Sequence, residues 1–261
     1  MLFSWADAHE NLNFKVLTMR ILTWNIQNSG TIDFDNPHIE NIRNILREIE
    51  TINADIVVIQ EFQYEYYNSI VRDGLERMNY KCRVCEDDRE KTLRNRVLIA
   101  LKYSFDDCGY PLNIWKYSRR NWNEIMVREP KMAVLGIDVP LAETTDRYGK
   151  KKNNRIEKKQ FLDALKDKFI EYSKFDFPAI ILGDFNLHEE AVYKEYLQMF
   201  NLYLKEVTTE DSTWGRYKLD YIFVNSAMLD LIEDSEVFKP HCTSYSDHKY
   251  LYIDVIESLG K

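Results

Sequence analysis

No stretch constrains the fold of this chain more than Pro178-Ala179-Ile180-Ile181-Leu182-Gly183-Asp184-Phe185-Asn186-Leu187-His188. Ile180, Ile181 and Leu182 are too uniformly apolar for a strand with one wet face, so other layers must cover both sides of the strand they predict. The run stops on Gly183, which lets the backbone turn, and then presents Asp184 and Asn186. A side-chain period of two puts these two on the same side. A carboxylate beside a carboxamide at a strand end can orient a water, a metal ion or a phosphoryl oxygen. The same residues also suit a plain Asx-rich turn, so the choice depends on what the rest of the chain brings to that end.

Other apolar runs share this character. Ile21 to Ile26 reads as a strand with Leu22, Trp24 and Ile26 on one face and Asn25 on the other. Asp55 to Glu61 is a second buried-type strand closing on an acid, and an ionised carboxylate there is costly to desolvate unless a cation or donors meet it. A surface Glu is the plain alternative. Strands are also predicted over Met132 to Val139, over Leu219 to Val224 with Asp220 near its start, and over Tyr250 to Val255 directly after Ser246-Asp247-His248. Apolar spacings of three and four predict helices from about Pro37 to Ile52 and from Ile156 to Ile170. Another helix is expected from about Glu189 to Phe200, and a helical region over 62 to 80 with a break at Gly74. Tyr80 to Glu86 and Arg96 to Lys102 read as two strands of a hairpin or meander, joined by a charged loop.

With 261 residues the chain can bury a sizeable core. It shows no fixed-length repeat, low-complexity linker or Pro-rich boundary, so residues 19–261 are expected to form a single domain after an N-terminal extension, residues 1–18. The net charge of −8 argues against broad, sequence-blind affinity for nucleic acid but leaves room for a local basic track. One candidate is the segment holding Trp115, Lys116, Tyr117, Arg119, Arg120 and Trp122, which suits stacking on bases and pairing with phosphates, or an exposed hairpin. The other is the run Arg147, Lys150, Lys151, Lys152, Arg155, Lys158 and Lys159, either a solvated helix start or a phosphate-steering patch. The four cysteines, at 82, 85, 108 and 242, fit reduced thiols, and the lone CxxC suits simple strand cysteines better than zinc or redox chemistry. No run of about 18 apolar residues appears, so no membrane partner is expected. Asp7, His9, Glu10 and Lys15 interrupt the apolar core a signal peptide needs, which makes a cytoplasmic protein the expectation.

Thr23-Trp24-Asn25-Ile26, Ile59-Gln60-Glu61, Gly183-Asp184-Phe185-Asn186, Leu219-Asp220-Tyr221-Ile222-Phe223 and Ser246-Asp247-His248 follow one another over residues 21 to 255. In this order they resemble the endonuclease/exonuclease/phosphatase superfamily, the metal-dependent phosphodiester and phosphomonoester hydrolases that include deoxyribonuclease I and the exonuclease III type repair enzymes. Each segment is weak alone; five in order, each on or beside a predicted strand end, make a strong joint signal. The resemblance implies an α+β fold, a four-layer αββα sandwich of two mainly antiparallel sheets packed face to face, with the active site at one end. It implies a metal-binding Glu61 supported by Asn25, and Asp247 as a second metal-side carboxylate. Asp184 resembles the carboxylate that orients or deprotonates the attacking water, and Asn186 its phosphate-bonding neighbour. His248 resembles the histidine on the scissile phosphate, and Asp220 the carboxylate that holds its ring. Hard oxygen ligands such as Glu61 and Asp247 suit Mg²⁺ or Mn²⁺. A cation is needed because a phosphodiester is anionic and repels an approaching nucleophile. Whether Asp184 or His248 takes the water's proton stays open.

One segment departs from the family pattern. Where a Val-His-Leu-Pro-like segment is usual, this chain reads Gly136-Ile137-Asp138-Val139-Pro140-Leu141, so Asp138 stands in place of an imidazole or a phenol; a slip of two would put Pro140 there instead. Asp138, Trp115, Arg119, Arg120 and Trp214 are the residues expected on the substrate side. The function expected first is a Mg²⁺-dependent nuclease cleaving DNA or RNA. The alternatives are a phosphatase or phosphodiesterase of a small or lipid-linked phosphate ester, and a binding protein that has lost turnover through the change at Asp138.

Overall fold

The computed structural model describes residues 18–27, 39–63, 68–84, 95–111, 113–145, 149–188, 190–208, 210–232 and 243–256. Nearly all of the expected N-terminal extension, the charged loop after Glu86, Arg147, Cys85 and Cys242 lie outside them. In chain order the strands are β1 (Thr18–Asn25), β2 (Ile56–Gln63), β3 (Lys81–Val84), β4 (Asn95–Leu101), β5 (Phe105–Gly109), β6 (Trp122–Val127), β7 (Met132–Asp138), β8 (Glu143–Thr145), β9 (Lys151–Asn153), β10 (Ala179–Asp184), β11 (Lys205–Glu206), β12 (Asp220–Val224) and β13 (Leu251–Ile256). The helices are α1 (Ile39–Ile52), α2 (Asn68–Arg77), α3 (Arg155–Tyr172), α4 (Ala191–Phe200) and the single turn α5 (Ser226–Leu229). No helix of the described residues is long and apolar enough to cross a membrane.

A five-stranded sheet, ordered β13-β1-β2-β4-β3, faces a six-stranded sheet, ordered β11-β12-β10-β7-β6-β5. Pairing is parallel for β1 with β2 and for β7 with β10, and antiparallel elsewhere. Side-chain alternation makes the layers. Ile21, Val58, Val134, Ile180, Leu182 and Ile222 pack between the sheets. Leu22, Trp24, Val57 and Ile59 point the other way, onto Ile42, Ile45 and Ile49 of α1 and Leu75 of α2. Leu135, Ile181 and Phe223 cover the far face of the second sheet together with Phe161, Leu165 and Phe169 of α3 and Phe200 of α4. The result is the expected αββα sandwich, with uniformly apolar central strands because both their faces are dry. The sheets approach closely at Gly136, where an added Cβ would stand 2.5 Å from Val58 Cγ1.

Three local expectations change. β2 runs on to Gln63, and Gly74 lies inside α2 rather than ending it, because Leu46 of α1 fills the space where a Cβ would sit. The aromatic and basic segment is no exposed hairpin: Lys116–Asn121 is a 3-10 turn, and Trp122 begins β6 fully buried, its ring 5.6 Å from Phe161. Lys158 is also buried rather than displayed on a basic face.

Candidate active site

The inter-sheet face of several strands turns polar at one end of the sandwich. Stepping by two residues, Val134 and Gly136 lead to Asp138 in β7, Ile180 and Leu182 lead to Asp184 in β10, and Val224 and Ile222 lead back to Asp220 in β12. These strands are neighbours, and Asp184 stands in register with Asp138 on one side and Asp220 on the other. In the facing sheet Ile21 and Thr23 lead to Asn25. The apolar layer between the sheets therefore ends in a row of acids from one sheet met by an amide from the other.

Glu61 needs a special device, because simple alternation after the inward Gln60 would send it toward the helices. A bulge in β2, between Ile59 and Phe62 where it pairs with β4, re-aims it, and Glu61 takes a φ of +56°. Asn186 also has a positive φ, +48°. It is brought back to Asp184 by a turn beyond the end of β10, not by strand alternation, and its main-chain N–H donates to Asp184 Oδ1 at 3.0 Å. The Asx turn and the site are the same structure. Asn25 ties the two sheets together, its Nδ2 donating to Glu61 Oε1 at 3.2 Å and to Asp184 Oδ2 at 3.1 Å. His248 enters from just before β13. Its Nδ1 is 2.9 Å from Asp220 Oδ2, its main-chain N–H donates to Ser246 Oγ, and Ser246 Oγ in turn donates to the carbonyl of Asn25.

The electrostatics follow from this crowding. Burial, then Asp220 and Glu61, push the Asp184 carboxyl up to about 7, against the pull of His248 and the Asn25 hydrogen bond. Burial, then Asp184 and Glu61, hold Asp138 well above the usual carboxylate range, with Arg120 and His248 opposing. Burial alone would lower the His248 imidazole, but Asp220, Asp184 and Asp247 outweigh it and raise the group to about 10. Without a bound metal the raised imidazole favours its cationic, hydrogen-bond-donating form. The ligand atoms of Asp184, Asp220 and His248 lie within 4.8 Å of one another, close enough to share a metal ion, and a His–Asp pair beside an acid is the other use of the same groups.

A cleft of about 240 Å³ opens beside these groups, lined by Glu61, Asp138 and Asn186 and continued by Arg120, Asn121 and Lys152. Asp138 lies at the cleft, where Asp184 and Glu61 add to the effect of its burial, and Pro140 stands on the lining as well. Arg120 supplies the cation on that side. Arg119 instead lies over the Tyr110 ring at 4.8 Å, and Trp115, 47% exposed, is not part of the cleft wall. Asp247 is exposed at the rim on the His248 side, accepting from Trp214 Nε1 at 2.8 Å. Sequence reasoning missed Tyr217, stacked on Trp214, and His188, 4.9 Å from Tyr217, as well as Ser118, Asn121, Thr144 and Asn154 in the cleft wall. Asn154 had a signal, an Asn directly before a helix, but its amide is turned to Leu141 O and Thr144 Oγ1 instead of capping α3.

The donor set fits a hard divalent cation. Glu61, Asp138, Asp184 and Asp220 converge against His248 and Arg120, and Asp220 Oδ1 is buried with no hydrogen-bond partner. Oxygen donors in such excess, without a thiolate, suit Mg²⁺-like ions rather than zinc.

The endonuclease/exonuclease/phosphatase family profile matches residues 22–248, most of the chain. The chain belongs to this family. Its members are metal-dependent enzymes that hydrolyse phosphate ester bonds, and this chain is one of them. No curated protein matches the chain by sequence. Among solved structures it is similar to an AP endonuclease from Archaeoglobus fulgidus, with a TM-score of 0.68 and 17% identity over 92% of this chain and 99% of that one. It is also similar to the 3′ phosphatase NExo from Neisseria bound to product DNA hairpin, with a TM-score of 0.65 and 17% identity over 91% and 99%. TDP2 from C. elegans gives a TM-score of 0.65 and 14% identity over 92% and 75%. Identities this low make the likeness one of fold.

Proposed function

We propose that this enzyme is a Mg²⁺- or Mn²⁺-dependent phosphodiesterase acting on nucleic acid, a nuclease for DNA or RNA. The observation that carries the reading is the convergence of Glu61, Asp184 and the His248–Asp220 pair at one end of the sandwich, joined by the two bonds of Asn25. Glu61, Asn25 and Asp247 are the residues assigned to the cation side, where a bound ion supplies charge neutralisation at the phosphoryl oxygens. Asp184, with its carboxyl poised near 7, orients the attacking water and accepts its proton. His248, cationic and held by Asp220, donates to the phosphoryl oxygen on which charge develops. Asn186 holds the same phosphate through its amide, and Arg120 stands in for the phosphate-facing donor that Asp138 displaces. Trp214 with Tyr217 offers a stacking wall beside His248. The named DNA-processing enzymes of similar fold support nucleic acid as the substrate class.

The small cleft beside Asp138, about 240 Å³ and lined by Arg120, Asn121 and Asn186, favours a second reading, a terminal or small phosphate monoester. A hydrolysis panel separates them: plasmid and oligonucleotide DNA, RNA, 3′-phosphorylated oligonucleotides, inositol phosphates and sphingomyelin, each with Mg²⁺, with Mn²⁺ and with chelator, for wild type and Asp184→Ala. Metal-dependent polymer cleavage lost in the variant is expected. Hydrolysis of monoesters alone would replace the first reading by the second, and no hydrolysis in any arm would reject both.

A further inference from the structure

Lys158 stands in a run of cations on the first turns of α3, where its neighbour Lys159 is exposed, yet its own side chain is 0% exposed. Burying an ammonium is costly unless specific partners replace its water. Its Nζ donates to the main-chain carbonyl of Asn186 at 2.5 Å and lies 4.4 Å from the centre of the Tyr193 ring.

We propose that Lys158 is a positioning residue of the reaction centre, its buried ammonium gripping the Asn186 carbonyl and so locking the turn that sets the Asn186 amide and the Asp184 carboxylate. The proposal rests on the hydrolase reading of the site. Asn186 sits in left-handed backbone, a conformation that costs free energy and persists only where its surroundings over-determine it. Three elements supply that determination. Asp184 Oδ1 at the end of β10 accepts the Asn186 main-chain N–H at 3.0 Å. The Val139 carbonyl just past β7 accepts from its side-chain Nδ2, also at 3.0 Å. Lys158 in α3 holds its carbonyl. An amide NH₂ carries two hydrogens, so with one given to Val139 the other, and the Oδ1 acceptor, remain for the cleft that Asn186 lines. Release of the carbonyl frees the residue that both lines the cleft and bonds the Asp184 carboxylate. Lys158 itself stays behind the site.

The test pairs turnover with a direct view of Asn186. Wild type, Lys158→Met and Lys158→Arg are assayed on whichever substrate wild type cleaves, and the Asn186 side-chain amide is followed by ¹H–¹⁵N NMR, its signals identified by their loss in Asn186→Asp. Lys158→Met is expected to lower kcat on the order of tenfold to a hundredfold, as displacing a positioned group by about 1 Å does. KM should stay within about twofold, because the loss is confined to the chemical step. Lys158→Arg should fall between, with the amide signals displaced in the same order as kcat. A merely structural Lys158 would lower stability without moving those signals or kcat, and that result overturns the proposal. If Lys158→Met does not fold, Lys158→Arg still decides: full kcat with a displaced amide, or reduced kcat with an undisturbed one, breaks the claimed link. Should wild type hydrolyse nothing, the hydrolase reading falls separately, while an amide signal unmoved in Lys158→Met or Lys158→Arg would still refute the grip.

Discussion

Nδ1 of His248 lies 2.9 Å from Oδ2 of Asp220, while Oδ1 of the same carboxylate is buried without a partner. One oxygen orients the ring and sustains its charge; the other remains as negative potential toward Asp184, where it helps raise that carboxyl. A single side chain thus tunes both a cation and an acid in opposite senses of charge.

The first prediction concerns this pair. The folded His248 is raised to about 10 from an ordinary value of about 6.5, so the stability it contributes is fully present below about pH 6.5 and is lost as pH rises through about 10. In chelator-treated protein, the urea midpoint of wild type minus that of Asp220→Asn should shrink between those limits. A difference that does not change with pH would contradict the pairing. Turnover of Asp220→Asn should fall by at least about a hundredfold.

A second prediction follows from Asp184. An acid raised to about 7 when folded, from about 3.9 when unfolded, holds its proton in the native state over that window, so it costs stability increasingly as pH climbs from about 4 to about 7. Asp184→Asn should therefore be more stable than wild type at neutral pH in chelator, while losing at least about a hundredfold in turnover. Added Mg²⁺ or Mn²⁺ should stabilise wild type and narrow the gap. Thermal unfolding with and without metal measures both; a variant less stable than wild type in chelator would be the contrary result.

The bulge at Glu61 gives a third prediction. A glutamate at φ +56° is strained, so Glu61→Gly should be as stable as wild type, or more so, without metal. Both Glu61→Gly and Glu61→Gln should lose the stabilisation by Mg²⁺, which for a site at a hundred times its Kd is about 2.7 kcal/mol. Undiminished metal-induced stabilisation in Glu61→Gln would place the cation elsewhere.

Much of this was legible in residue order. Ile180 to Leu182 announced a strand covered on both faces, and the polar residues after each apolar run marked where the strands end. Asp138 also stands at the site, one strand over from Asp184. What stayed hidden depended on three-dimensional neighbours. β5, β8, β9 and β11 are short or polar and hold their place by pairing and covering rather than by any apolar period. Gly74 looked like a break because the Leu46 side chain that occupies its missing Cβ lies in another helix. Helical spacing puts Lys158, and not Lys159, on the stripe of Phe161, Leu162, Leu165 and Phe169, but only the meeting of α3 with the turn after β10 shows what a buried ammonium finds there.

A fourth prediction tests the frame beneath the site. Gly183 has a φ of +140°, and a Cβ there would stand 2.0 Å from the Ile137 carbonyl oxygen, on the strand that carries Asp138. Backbone cannot yield as a side-chain tip can. Gly183→Ala should cost at least about 3 kcal/mol, at the upper end of overpacking penalties, and should lower kcat by disturbing Asp138 and Asp184 together. Chemical denaturation with a parallel assay measures both; wild-type stability in the variant would show that the strands have room to part.

Because Asn25, Asp138, Asp184 and Asp220 each end a two-residue rhythm, the chemistry of this enzyme is written in the parity of its strands. Losing or gaining one residue anywhere along the inner half of β7, β10 or β12 turns an acid from the reaction centre to the helices, whereas a change of two leaves it facing inward. Length variation tolerated by the family should therefore collect in the connections, and β2, which carries an odd residue through its bulge, is the strand where a single deletion would move Glu61 out of the site while leaving Gln60 and Thr23 as they are.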